Sequence, residues 1–287
     1  MLGAIMGDMI GSVYDSHNIK TKKFPIFNIE NRMTDDSLLT IAVAKVLLDN
    51  MPLQYDEESI VTIQDKLTDR FEFAYRGEIG AGWGSSFIIW CKTPKELKKP
   101  YYSFGNGAGM RISPVGWIAK SESEVKILSR IVTEITHNHP EGIKGAEAIA
   151  MCIHLALKGY TKNQIKEYVI KNYYGEISTF NYQNLVRNYT FDISCQGSVP
   201  QAIYCFLISN SLEDAIRTAI SIGGDSDTIA AMTGSIAEAF YQKDYLSDFE
   251  RDFIYYFIDT DVETLLHKFH NKIKSAKFSK LSSERIV

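Results

Sequence analysis

A mostly α-helical protein folded as one domain is what this sequence predicts, and three observations predict it. Apolar residues recur at helical spacing in one segment after another, where a half-buried strand would alternate. Short apolar runs that could be strands are few: residues 87–90 and 169–174 are both ambiguous between strand and helix. The chain holds only seven prolines, and no Pro-, Gly- or Ser-rich stretch divides it.

From the N-terminus, residues 3–15 (GAIMGDMIGSVYD) carry glycines at every fourth position, the pattern of a helix packed closely against another element. Asp8 within this run is expected to be a buried or capping acid. Asp15, just beyond it, is expected at a helix end, where an acid opposes the helix dipole. Residues 37–48 (SLLTIAVAKVLL) form a clear helical run. Residues 77–84 and 105–109 are glycine-rich and read as loops. Residues 136–140 (THNHP) lead into a helix with Pro140 near its first turn. That helix shows Ala146, Ile149, Ala150, Ile153 and Leu157 along one stripe. Residues 212–222 open after Ser211, with Asp214 in the place of a capping box. Gly223-Gly224 then makes a turn into an alanine-rich helix at 228–241, and 253–273 continue the helical pattern. The basic stretch at about 273–287, with Lys274, Lys277, Lys280 and Arg285, is read as a partly frayed tail closing a single domain of 1–287.

Bulk properties narrow the function. Hydrophobic residues make up 45% and charged residues 23%, as in ordinary soluble domains. A net charge of −4 argues against nucleic acid or membrane held by bulk positive charge. No run reaches the ~18 to 20 apolar residues of a membrane span. Asp8 interrupts the apolar N-terminus with no basic residue before it, so it is a poor signal peptide. Cys91, Cys152, Cys195 and Cys205 form no C-x-x-C pair and are read as buried free thiols. A cytoplasmic protein is the expectation.

Two acidic clusters carry the chemistry. Thr34-Asp35-Asp36 and Asp225-Ser226-Asp227-Thr228 each stand at the start of an apolar helical run. One acid or hydroxyl there is ordinary capping. Two clusters, each with a hydroxyl beside two carboxylates, exceed what capping needs. Carboxylate and hydroxyl oxygens suit a hard cation such as magnesium. If the two helix starts face each other, their oxygens suit a pair of ions, which together polarise a water and a substrate oxygen. On spacing alone, caps and metal ligands are evenly weighed. The loop 105–109 (GNGAG) has alternate glycines that could cradle phosphate, with a plain turn as the alternative. Arg111 is read as a structural ion-pair partner before a phosphate ligand. His137 and His139 are ligands, proton shuttles or a polar helix entry.

Taken together and in order, residues 3–15, 34–37 (TDDS), 105–116 (GNGAGMRISPVG), 136–140 and 223–228 (GGDSDT) resemble the ADP-ribosylglycohydrolase family, which includes the dinitrogenase-reductase-activating glycohydrolases. The resemblance covers nearly the whole chain. It implies an all-α, orthogonally packed multi-helix bundle with a central metal cleft holding two magnesium ions, manganese being an alternative. It implies hydrolysis of the N- or O-glycosidic bond between the terminal ribose of ADP-ribose and an acceptor on a protein or small molecule. Nucleic acid would enter only as a modified acceptor, and no membrane is involved. The family's metal ligands fall on Thr34, Asp35, Asp36, Asp225, Asp227 and Thr228. Its substrate loop falls on Gly105, Asn106, Gly107 and Met110, and its ADP-ribose-contacting histidine on His137. Asp15 stands where members acting on serine-linked ADP-ribose carry a gating glutamate, so Asp15 or Asp35 is the expected proton acceptor. Gly109 replaces an alanine usual in the loop, and Glu238 stands where a glycine is common. The rival readings are a non-catalytic ADP-ribose-binding or structural member, and a two-metal nucleotide phosphohydrolase. Arginine, serine, a nucleobase and O-acetylated ADP-ribose all remain as acceptors.

Overall fold

The computed structural model describes residues 1–241 and 247–283, with side chains described as far as Ile273. Its secondary structure is helical throughout, with no strand among the described residues. The chain divides into two compact units, Met1–Asp244 and Tyr245–Val287. The first unit holds α1 (Leu2–Gly11), α2 (Asp35–Asp49), α3 (Glu57–Gly77), α4 (Ser85–Lys92), α5 (Gly107–Met110), α6 (Ser113–Ile118) and α7 (Glu122–Thr133). It continues through α8 (Pro140–Leu157), α9 (Lys162–Asn172), α10 (Tyr182–Asn188), α11 (Cys195–Ile208), α12 (Leu212–Ser221) and α13 (Ser226–Tyr241). The second unit holds α14 (Asp248–Phe257) and α15 (Thr260–Ser283).

The ambiguous run 87–90 lies in α4, and 169–172 of the other end α9, with Tyr173 as its C-cap. One other expectation needs correction. The run 253–273 is broken into two helices, because Asp259 caps a fresh start: its Oδ1 accepts from the backbone N–H of Val262 at 2.9 Å. The tail read as frayed from about 273 is helical backbone to Ser283, while the side chains of Lys274, Lys277 and Lys280 and all of Arg285 lie outside the described residues. The capping box at α12 is half formed. Ser211 accepts from Asp214 N–H, but the Asp214 carboxylate turns to Asn210 N–H at 2.9 Å. The four cysteines are free and buried.

The first unit is organised around α13, whose residues from Ser226 to Ala239 are all buried. Helices α1, α8, α11 and α12 pack on it. The glycine stripe of α1 faces α13 at backbone contact. A Cβ on Gly3 would lie 2.3 Å from Gly234 O, one on Gly7 2.1 Å from Ala230 O, and one on Gly11 2.5 Å from Asp227 Cα. The absence of side chains along α1 therefore sets how closely the acidic start of α13 is approached. Glu238 finishes this contact by accepting from Leu2 N–H at 3.1 Å and Gly3 N–H at 2.9 Å, capping the start of α1. A glutamate where a glycine is common thus does not disturb the packing of α13; it takes up the free donors of α1.

Candidate metal and substrate cleft

Both acidic clusters lie at helix N-termini, as their sequence positions predict, and they face each other. Thr34 is the N-cap of α2, its Oγ1 accepting from Asp36 N–H at 3.3 Å. Asp227 sits in the first turn of α13 and accepts from Thr228 N–H at 2.8 Å. Across the gap, Thr228 Oγ1 donates to Asp36 Oδ2 at 3.2 Å. Two groups of carboxylate oxygens, Asp8–Asp36–Asp227 and Asp15–Asp225–Asp227, each lie within 4.8 Å of one another. Asp227 belongs to both.

The turn that delivers Asp225 is held from several sides. Gly223 and Gly224 adopt φ of +69° and +83°, a backbone that L side chains rarely take. A Cβ on Gly224 would meet the Tyr189 ring at 2.3 Å. Asn18 brackets Gly224, accepting from its N–H at 2.7 Å and donating to its C=O at 2.9 Å. Lys20 Nζ donates to Tyr189 C=O at 2.8 Å and Ile222 C=O at 2.5 Å. The glycine pair thus makes the turn from α12 into α13 that the sequence predicts.

Asp8 is the buried, capping acid that the sequence predicts, and the structure adds that it belongs to the acidic cluster. It is fully buried, and its oxygens accept from Thr34 Oγ1 at 2.6 Å and from the N–H groups of Thr34 and Ser37, each at 3.0 Å. It caps α2 from outside the helix and aims the Thr34 hydroxyl. The available signal was a lone acid in an otherwise apolar, glycine-lined helix. Asp8→Asn is expected to weaken divalent-cation affinity by roughly 10–100-fold, because its amide nitrogen would reverse the bond to Thr34 Oγ1 and turn that hydroxyl's hydrogen away from position 8. A magnesium titration checks this, and an unchanged affinity would contradict it.

Electrostatics separates this cluster from ordinary caps. Burial comes first among the causes that push Asp8, Asp15, Asp35, Asp36, Asp225 and Asp227 above the ordinary carboxylate range. For Asp36 the next causes are the charges of Asp227, Asp8, Asp35 and Asp225. Asp35 is pushed up to about 7 by burial and then by Asp8, with Arg111 opposing. Asp36 Oδ1 and Asp15 Oδ1 are buried without a hydrogen-bond partner. Crowded, desolvated carboxylates with orphaned oxygens fit a cation and are poor as a self-contained network.

A carboxylate with a raised folded-state pKa stabilises the fold below its unfolded value and loses that contribution as pH rises through the folded value. For Asp35 that window runs from about 3.8 to about 7. Protons and cations therefore compete for the same oxygens. The rise in Tm on adding magnesium is expected to be larger at pH 8 than at pH 5.5. A thermal-shift series checks this, and an equal or reversed shift would contradict it.

The cluster forms the floor of a cleft of about 310 Å³. Asp15, Thr34, Asp35, Asp36, Asp225, Asp227 and Thr228 all line it, as do Gly105, Asn106, Gly107, Met110 and His137. Every sequence-predicted site residue thus reaches one cavity. The loop of alternate glycines is not all loop: Gly107–Met110 is a helical turn, begun where Asn106 N–H donates to Ile193 C=O at 2.7 Å. The Asn106 side chain is engaged by the acidic floor, Nδ2 donating to Asp225 Oδ2 at 2.6 Å. Gly109 faces inward, where a Cβ would lie 2.8 Å from Met232 Sδ, so the Met232 side chain occupies the room of the missing methyl. His139 is the N-cap of α8 and accepts from Glu141 N–H at 3.0 Å, so the two histidines of the THNHP segment divide between capping and the cleft. Arg111 corrects its expectation: it is fully buried, it forms no ion pair among the described residues, and its guanidinium lies 4.8 Å from the Phe71 ring centre. No helix among the described residues is long and apolar enough to cross a membrane.

Comparison with known proteins agrees with this geometry. A family model described as ADP-ribosylglycohydrolase matches residues 1–273. The chain is 24% identical to ADP-ribosylhydrolase ARH3 of Mus musculus, over 91% of this chain and 88% of that protein. It is 24% identical to ADP-ribosylhydrolase ARH3 of Homo sapiens, over 86% of each. ADP-ribosylarginine hydrolase Tri1 of Pseudomonas putida is 25% identical over 48% of this chain and 38% of its own length. A solved structure described as an ADP-ribosylglycohydrolase-related protein complex superposes with a TM-score of 0.62 at 18% identity, over 93% of this chain and 95% of that one, which bears on the fold alone.

Proposed function

The chain belongs to the ADP-ribosylglycohydrolase family, and from that premise we propose that it is a magnesium-dependent hydrolase cleaving the glycosidic bond between the terminal ribose of ADP-ribose and an acceptor. The observation that carries the reading is the convergence of both acidic helix starts on one cleft. Two carboxylate groups share Asp227 there, each within 4.8 Å. The two groupings support two ions, and Thr34, Asp35, Asp36, Asp225, Asp227 and Thr228 are the residues that would hold them, with manganese as the alternative metal. When bound, such ions supply positive charge against the ribose hydroxyls and acidify a water beside them.

The protein's own groups divide the remaining work. The Asp225 and Asp227 carboxylates favour the positive charge that develops at the anomeric carbon as the bond to the acceptor breaks. Asp35, a carboxylate of the cleft beside the proposed ions, is one candidate for taking the proton of the attacking water. Asp15, half buried at the cleft edge beside the charge of Arg32, is the second candidate for taking the water's proton. That proton is balanced by one delivered to the departing acceptor. Gly105, Gly107, Met110 and His137 hold the rest of the ADP-ribose. The acceptor is a protein side chain or a small molecule, and its linkage is arginine, serine, a nucleobase or an O-acetyl group.

A panel of substrates with defined linkages tests this, each incubated with and without magnesium and resolved by chromatography. Release of intact ADP-ribose from at least one linkage, only with the metal, is the expected result. AMP or inorganic phosphate as product would replace the reading with a phosphohydrolase. Binding without turnover of any linkage would reduce the protein to an ADP-ribose-binding member of the family.

A further inference from the structure

Arg111 is the group that the mechanism above leaves unused. Its side chain is among the largest fully buried ones in the protein. Removing a guanidinium from water costs several kcal/mol unless its donors are met, yet Nε has no hydrogen-bond partner. Its terminal Nη2 is engaged, donating to Thr136 Oγ1 at 2.5 Å and lying 3.4 Å from His137 Nδ1. Thr136 Oγ1 itself lies 2.8 Å from His137 Nδ1.

Proton accounting at this contact leaves two arrangements, because Thr136 Oγ1 can donate to His137 Nδ1 or accept from it. A guanidinium only donates, and it does not lose its proton in proteins. The guanidinium decides between them: an Nδ1–H would set a positive hydrogen beside Arg111 Nη2, 3.4 Å away, so the favoured form carries the lone pair on Nδ1. Thr136 Oγ1 accepts from Arg111 and turns its own hydrogen to the same lone pair. The imidazole proton is left on Nε2. That nitrogen faces the two glycines of the substrate loop: a Cβ on Gly107 would lie 3.2 Å from Nε2, and one on Gly105 3.5 Å. Both glycines leave the space at Nε2 open, and all three residues line the cleft.

We infer that Arg111, acting directly and through Thr136, is a positioning residue that fixes His137 as the neutral Nε2–H tautomer, so that the cleft holds a constant hydrogen-bond donor beside Gly105 and Gly107. An acceptor oxygen of the ligand, on phosphate or ribose, is what that donor recognises. The identity of the ligand rests on the proposed function; the tautomer does not. Burial, followed by the Arg111 charge, pushes His137 well below the ordinary imidazole range, which keeps it neutral. Tyr101, whose ring centre is 5.7 Å from that of His137, is itself pushed up to about 12 by burial and stays protonated. Arg111 and Tyr101 flank the imidazole, and Asp35 and Cys195 act on Arg111 from beyond them.

Long-range proton–nitrogen NMR of the histidine side chains in the full chain tests this, with His137 assigned by its loss in His137→Gln. The wild-type protein is expected to show the Nε2–H pattern for His137, unchanged from pH 5.5 to 8.5. In Arg111→Met, of similar length and uncharged, a mixture of tautomers or a titration within that range is expected, and the Kd for ADP-ribose is expected to rise roughly tenfold. If Arg111→Met does not fold, the wild-type spectrum decides, since it reports the tautomer without any substitution. A wild-type His137 in the Nδ1–H form, or titrating near its ordinary value, would overturn the inference. So would an Arg111→Met protein whose tautomer is unchanged. A wild-type chain with the expected tautomer that binds no ADP-ribose would overturn the ligand assignment and leave the positioning role standing.

Discussion

Asp227→Asn is expected to make the metal-free protein more stable and to remove its activity. Asp227 belongs to both carboxylate groups and is pushed well above the ordinary range by burial, then by Asp225, Asp8 and Asp15. Asparagine keeps the oxygen that accepts from Thr228 N–H at 2.8 Å. It removes one charge from a buried cluster of like charges. The gain is expected to be ~0.5–2 kcal/mol, the usual return from relieving a strained functional group. Turnover is expected to fall by at least ~10²–10³-fold, the loss seen when one preorganised electrostatic partner is removed. Thermal unfolding of the metal-free variant and steady-state kinetics with magnesium check the two halves. A less stable metal-free variant would mean that Asp227 works as a cap; full activity would mean that it holds no ion.

Gly7→Ala is expected to be the most damaging single methyl in the chain. Its Cβ would lie 2.1 Å from Ala230 O, 2.3 Å from Ala230 C and 2.6 Å from Ala231 N, all backbone atoms of α13. No rotamer relieves such a clash, so α1 and α13 must separate. The cost is expected to be ~3 kcal/mol or more, a fall in Tm of ~6–12 °C for a chain of this size. Separation also moves Asp8 on α1 away from Asp227 on α13, so activity is expected to fall even well below the new Tm. Gly77→Ala is the control, because a Cβ there meets nothing within 4 Å. Equal Tm values for the two variants would contradict the close-packed interface.

The helices were legible because their buried stripes are written at helical spacing, and their starts because Thr34, Ser211 and Pro140 are local signals. The break between α14 and α15 was missed because apolar residues continue on both sides of the Asp259 cap. The glycine stripe of α1 announced a close contact without naming the partner, which lies more than two hundred residues along the chain. The acidic clusters were visible as pairs of helix starts, but their meeting is a property of the packed helices. Asp8 illustrates the limit. A buried or capping acid is what its local pattern gives, but its bonds to Thr34 and Ser37 are made across two helices, so its place beside Asp36 and Asp227 is a property of the fold. Arg111 illustrates it in reverse: a charged residue suggested an ion pair, and the fold gave it a hydroxyl, an imidazole and an aromatic face. The glycine loop and His137 gained a substrate role only from the ordered resemblance, because their own spacing reads equally as turns and caps.

The central claim is that the crowded carboxylates of this cleft work as a divalent-cation site for opening an ADP-ribose linkage. The direct measurement is the release of free ADP-ribose from an ADP-ribosylated protein by the full chain, first stripped with a chelator and then titrated with magnesium. Release that is absent after stripping, returns with magnesium, and stays absent in the Asp225→Ala/Asp227→Ala double variant is the predicted result. Undiminished release by the stripped protein or by the double variant would contradict it.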